Sequence, residues 1–265
     1  MKHLEISALF EKYHEENKNL YTDAGIYRKW EHAHRVADLI QHYPQHLQTP
    51  HPELAYFLAL HHDDGRARQF KLTGALDDRK MHHCIAGERH LQHFIEREGR
   101  SWNSCPRDIL ILRDVLRYHG DLEGLRMSSQ WIISLPYVKA ITAADTLDNA
   151  LSCVSYLKRN VYNDEKGLLS YKHVANFVWE HYEQGKKFDK IKHCKTYSEY
   201  IIFAATLATF CIKEYEDLTR ELLKSPGFGY PSILEGYKDN FFELLSKEDA
   251  QRAYEILYNA VYNIK

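Results

Sequence analysis

The stretch Leu58-Ala59-Leu60-His61-His62-Asp63-Asp64-Gly65-Arg66 decides how the rest of the chain is read. Its first half continues an apolar run of Leu54, Phe57, Leu58 and Leu60 that begins behind Pro52. Proline in a first helical turn loses no hydrogen bond, so the run predicts a short core helix. Its second half sets two imidazoles and two carboxylates on the end of that helix, with Gly65 as the expected breaker. An unpaired buried carboxylate is costly, so Asp145, further along the chain, needs a cation, a donor or a changed protonation state.

Working outward, residues 27 to 43 predict a helix on which Val36, Leu39 and Ile40 share a side with His32, and Pro44 stops it. Residues 3 to 20 predict an earlier helix with Leu4, Ala8 and Phe10 inward. In the other direction, Asp64 to Arg79 holds two glycines and mixed charge and reads as a connecting loop of about 16 residues. A helix over 80 to 97 carries His83 beside Met81, Cys84 and Ile85. The next, from Pro106 to His119, aligns Leu112, Leu116 and His119 on one face. Ser134 and Pro136 predict the start of a long helix over 135 to 160 that contains Asp145. Val161 to Gly167 reads as a polar connection, and helices over 170 to 183, 197 to 224, 238 to 246 and 247 to 263 follow. With few alternating segments that could form strands, the expected class is all-α.

An apolar fraction of 44% and a charged fraction of 27% predict a folded chain throughout. The expected organisation is a helical core over 1–160 and a helical extension over 161–265 packed on it within one compact unit. A formal net charge of −2 gives no basic footprint, so a nucleic-acid duplex is not an expected partner and any phosphate must be bound locally. The five cysteines have no Cys-x-x-Cys spacing and form no disulfide framework, which fits a reducing cytoplasm. The amino terminus, Met1-Lys2-His3-Leu4-Glu5, has acidic residues where an export signal needs an apolar core. The longest apolar stretch, Tyr200 to Ile212, is about 13 residues against the roughly 20 that span a bilayer, so no membrane association is expected.

Of the histidines, His14, His42, His46 and His51 lie among polar residues and read as surface. His32, His62, His83 and His119 instead interrupt apolar helical faces. Asp145 follows Ile141-Thr142-Ala143-Ala144, small residues that let helices approach closely. Imidazole nitrogen with carboxylate oxygen suits first-row divalent ions such as Mn, Fe, Co or Ni, and the absence of cysteine from these positions argues against a thiolate zinc site. His62 and Asp63 point about 100° apart on a helix, so they converge on one ion only near a helix end or with the ion between their directions.

Five strings, in order, resemble the HD-domain superfamily of metal-dependent phosphohydrolases. They are His32-Ala33-His34-Arg35-Val36-Ala37, Leu58 to Arg66, His83-Cys84-Ile85-Ala86-Gly87, Tyr118-His119-Gly120 and Ala143-Ala144-Asp145-Thr146-Leu147-Asp148. The resemblance covers residues 27 to 155. It implies an HD-type helical bundle in which His32, His62, Asp63 and Asp145 hold one divalent ion. It also implies a second ion on His83 and His119, bridged through Asp63. The number of ions, one or two, and their identity among Mn, Fe, Co, Ni, Mg and Zn stay open. So does the register, because His34, His61 and His82 stand beside His32, His62 and His83. Asp148 reads equally as a support to the ligands or a helix-surface acid.

The resemblance implies hydrolysis of a phosphate ester or anhydride, with Asp63, Asp64 and Arg66 as the expected catalytic residues. Arg66 would offset charge on the phosphoryl oxygens. Asp64 stands where the family carries an apolar residue, and reads as an aid to proton transfer or as a solvated turn. Arg113 and Arg117 read as weaker candidates or surface charges. Leu122-Glu123-Gly124 follows the late histidine where the cyclic-di-GMP branch has Gly-Tyr-Pro, which favours a nucleotide or other small phosphomonoester. A non-catalytic nucleotide- or metal-binding regulator is the alternative. The stripe Tyr254, Tyr258, Tyr262 reads as core, as a homodimer contact, or as a protein-binding face.

Overall fold

A computed structural model describes residues 2–22, 24–49, 51–74, 82–160 and 174–264. Among the described residues every regular element is helical, apart from one isolated bridge between Gly227 and Tyr230. No described helix is long and apolar enough to cross a membrane. The expected connection from Val161 to Gly167 lies outside the described residues. The chain divides into two compact units, Met1–Asp145 and Thr146–Lys265.

The first unit contains α1 (Lys2–Lys18), α2 (Ala24–His42), α3 (Pro52–His61), α4 (Asp64–Thr73), α5 (His83–Arg97), α6 (Arg107–Tyr118), the short α7 (Leu122–Leu125) and the first half of α8 (Trp131–Asn160). On α1 the inward residues are Leu9, Phe10 and Tyr13, whereas Ala8 is exposed. Leu4 belongs to the side chains that are not described. Helix α3 is apolar nearly all round; its first turn is exposed, and Ala55, Leu58, Ala59, Leu60 and His61 are buried. Burying a leucine such as Leu58 contributes about 2 kcal/mol. Helix α2 packs along α3, and α4 along α5.

The segment after His62-Asp63 is not the long loop that its glycines suggest. Only His62 and Asp63 separate α3 from α4, and α4 runs on to Gly74, whose left-handed φ of 70° ends it. Residues 75–79 lie outside the described ones. Gly65 is therefore no breaker but part of the first turn of α4. A Cβ on it would lie 1.8 Å from the carbonyl oxygen of His83 and 2.7 Å from the nitrogen of Gly87. Its missing side chain lets α4 and α5 touch backbone to backbone, which brings His83 to the end of α3.

Helix α8 starts at Trp131, so Ser134 is not its cap. The Ser134 hydroxyl donates instead to Asp114 Oδ2 at 2.6 Å, and Pro136 sits in the second turn, where it forfeits one backbone bond.

In the second unit, the rest of α8 is followed by α9 (Asn176–Gln184), α10 (Lys190–His193), α11 (Tyr197–Glu214), α12 (Glu216–Lys224), α13 (Ile233–Leu244) and α14 (Lys247–Tyr262). Helix α11 is the buried centre, opened by a capping box between Thr196 and Glu199 and flanked by α9, α12, α13 and α14. The expected single helix over 197 to 224 is broken at Tyr215, where the backbone turns out of helical geometry (φ −137°, ψ 53°). The tyrosine stripe of α14 is not core. Tyr254 and Tyr258 are half-buried and Tyr262 is exposed, with ring centroids 5.6 and 4.5 Å apart along the row.

Candidate metal centre

The two-residue turn between α3 and α4 gathers side chains from four other helices or helix ends. His62 closes α3, and its Nδ1 donates to the Ala59 carbonyl at 2.6 Å. That bond fixes the tautomer: Nε2 carries the lone pair. The atom is buried and has no hydrogen-bond partner, while two carboxylate oxygens lie near it, Asp145 Oδ1 at 3.8 Å and Asp63 Oδ2 at 4.0 Å. A lone pair facing carboxylates is repelled unless a cation lies between them.

His32, from the middle of α2, brings its Nε2 to 3.0 Å from Asp145 Oδ1. His32, His62 and Asp145 thus form one group able to hold an ion. Burial disfavours charge on Asp145, but His32 beside it holds its carboxyl well below the usual range.

Asp63, His83 and His119 form a second such group. His83 Nε2 and His119 Nε2 are 3.2 Å apart, and each is 3.5 Å from Asp63 Oδ1. An ion bonded at about 2.0–2.2 Å to three tetrahedral ligands separates them by about 3.3–3.6 Å, so the triangle has the size that an ion requires. The ring of His119 is fixed like that of His62, since its Nδ1 donates to the Val115 carbonyl at 3.0 Å. Asp63 joins the groups, with Oδ1 toward His83 and His119 and Oδ2 toward His62.

All six expected ligands converge; of their neighbours only His82 comes close, grouping with His83 and Cys84 as a further set of possible ligands. His34 packs edge-on to Trp30, His61 faces away from the site, and His82 is exposed ahead of α5. Asp64 is corrected: it is no solvated turn residue but fully buried, and its oxygens accept from His61 Nδ1 and Tyr21, each at 2.8 Å. Asp148 is buried, which removes its surface reading. Of the basic candidates, Arg66 places Nε 3.0 Å from both oxygens of Asp63. Arg113 binds Asp114 and Arg117 pairs with Glu88.

Three features were not anticipated. Lys29, one turn before His32, puts Nζ 3.0 Å from Asp63 Oδ2. Burial disfavours charge on Asp63, yet Arg66 and Lys29 hold its carboxyl well below the usual range. The i, i+3 spacing of Lys29 and His32 is the signal that could have found it. A thiol also borders the second group, with Cys84 Sγ 3.5 Å from His83 Nε2 and 4.0 Å from His119 Nδ1. The third feature is His14, read as surface, which is half-buried with Nδ1 3.2 Å from His61 Nε2. His42, His46 and His51 are exposed as expected.

Solvent reaches the site. The side chains of Asp145, Lys29 and Arg66 are 27%, 23% and 19% exposed, whereas His62 and Asp63 are almost fully enclosed. No protein-family model, curated protein or solved structure matches this chain.

Proposed function

We propose that the first unit binds one or two divalent cations and hydrolyses a phosphate ester or anhydride of a small phosphorylated molecule, with a nucleotide or phosphomonoester favoured. The observation that carries this reading is Asp63, one carboxylate shared between two histidine-bearing groups of ligand size. The six ligand types and their order support membership of the HD-domain superfamily. A bound divalent ion supplies Lewis acidity and lowers the pKa of water toward neutrality.

The chain's own residues do the rest. Bonds to the Ala59 and Val115 carbonyls hold the His62 and His119 rings with Nε2 turned inward. Lys29 and Arg66 place two positive charges at the open side, where they neutralise phosphoryl oxygens and orient the substrate. Asp63 orients both cations. Asp64 turns its oxygens to His61 and Tyr21 rather than to this cluster. Its role in proton transfer is therefore not part of the proposal. Five free cysteines fit the reducing cytoplasm in which we place the protein.

The test is phosphate release from a nucleotide panel and 4-nitrophenyl phosphate after Mn or Ni loading, with Asp145→Ala alongside. Release by the wild type and its loss in the variant support hydrolysis. Metal uptake without release from any substrate favours the regulator.

A further inference from the structure

In the tetrad His61-His62-Asp63-Asp64 the inner pair faces the candidate metal centre and the outer pair faces the opposite way. We infer that His61 and Asp64 are positioning residues: a buried clamp that spans the turn and sets the angle at which His62 and Asp63 present their ligand atoms. The inference rests on the metal-binding reading above.

His61 is the last residue of α3 and Asp64 the first of α4, and both side chains are 0% exposed. His61 Nδ1 lies 2.8 Å from Asp64 Oδ2, so one hydrogen bond closes across the two residues that join the helices. Each end of the clamp is then tied to another part of the unit. The Tyr21 hydroxyl donates to Asp64 Oδ1 at 2.8 Å, and His61 Nε2 meets His14 Nδ1 at 3.2 Å. Phe57 and Tyr13 pack on the imidazole, with centroids at 4.6 and 5.2 Å.

Two helices joined by two residues are a hinge unless something crosses it. A change in the angle between α3 and α4 would carry Nε2 of His62 away from Oδ2 of Asp63, and the ligand groups would separate. An apolar pair at 61 and 64 would fill the same space without burying a carboxylate, and buried polar pairs are commonly neutral or unfavourable for stability against such a replacement. A directed bond does what packing cannot: it fixes one geometry at the turn. The pair also accounts for Asp64 at the position where the resemblance implies an apolar residue.

The experiment is titration of the protein with Mn(II), followed by the loss of the free-ion electron paramagnetic resonance signal, with thermal melting in chelator as the parallel readout. Asp64→Asn removes an acceptor at almost constant shape, and Tyr21→Phe removes one hydroxyl only. Asp114→Asn is the control, a carboxylate equally buried in the same unit but bonded to Ser128 and Ser134 away from the turn. The clamp predicts Mn binding weakened on the order of tenfold by Asp64→Asn. It predicts a smaller loss by Tyr21→Phe and wild-type affinity in Asp114→Asn even where that variant melts lower. Wild-type affinity in both clamp variants overturns the inference, as does equal weakening by Asp114→Asn. If Asp64→Asn does not fold, Tyr21→Phe decides alone. A wild type that takes up no Mn brings down the metal reading and the clamp together, whereas unaffected variants of an Mn-binding wild type bring down only the clamp.

Discussion

Asp63 turns Oδ1 to within 3.5 Å of His119 Nε2, and that contact sets the pH dependence of anything bound between them. Burial works against a charge on His119, but the Asp63 carboxylate and the Cys84 thiol raise its pKa well above the ordinary value. His83, although it lies at the same distance from Asp63, is pushed down to about 3 by its burial. The Asp63 carboxylate therefore favours a proton on His119, whereas burial favours the neutral form of His83.

A metal ion bound there must displace that proton. Because His119 is raised, the competition is strongest below its shifted pKa and fades as pH rises through it. Apparent Mn affinity should therefore climb by up to about tenfold per pH unit below that raised pKa, with about one proton released per ion. Calorimetric titration in two buffers of different ionisation enthalpy reads the proton count. Uptake without proton release contradicts the His119 assignment.

Lys29 is predicted to act on the anion rather than on the metal. Lys29→Gln should leave Mn stoichiometry unchanged while lowering kcat/KM on 4-nitrophenyl phosphate at least about tenfold, the scale of losing one preorganised charge contact. Lys29→Arg should recover part of it. A loss of bound Mn in Lys29→Gln would place the lysine in the ligand support instead.

Gly65 and Gly74 make a paired test of the fold around the site. Gly65→Ala sets a methyl group into the backbone of α5, and no rotamer can relieve a contact of 1.8 Å with a carbonyl oxygen. We expect a loss on the order of 3 kcal/mol or more. Gly74→Ala meets no atom within 4 Å and bears only its φ of +70°, so it should cost about 1 kcal/mol. Urea midpoints of the two variants check the order, and equal effects would remove the argument for close α4–α5 contact.

These two glycines also show what the sequence could and could not reveal. Helical periodicity identified the helices that carry His32, His62, His83, His119 and Asp145, because each histidine interrupts an apolar face that continues around it. It misplaced the glycines. Nothing local distinguishes Gly65, required by a helix that arrives from elsewhere in the chain, from Gly74, required by its own φ. Lys29 and the clamp pair escaped for a related reason. Lys29 has the i, i+3 spacing to His32, but its target Asp63 is distant in sequence. Asp64 reads as solvated until Tyr21 is seen to cover it. The helix break at Tyr215 had no composition signal, since an apolar run continues to Ile212 and charged helix-formers follow.

Acid should weaken the first unit through His90. Burial first, and then Arg68, push its pKa down from 6.5 to about 4. The folded state thus keeps His90 neutral where the unfolded chain binds a proton. Stability falls as pH drops from 6.5 toward 4, by up to about 1.4 kcal/mol per pH unit for this group. His83 adds in the same direction when metal is absent. His90→Gln, measured by urea unfolding at pH 7 and pH 5 in chelator, should flatten the dependence. An unchanged slope would assign it to other groups.

The number of ions bound tests the shared carboxylate of Asp63 most directly. Metal analysis of purified protein loaded with Mn and freed of excess ion should give up to two ions per chain for the wild type. His83→Ala should lose the second ion and keep the first, and Asp63→Ala should lose both while retaining its helical circular dichroism. A wild type that binds no divalent ion, or an Asp63→Ala variant that binds as many as the wild type, contradicts the shared-carboxylate centre.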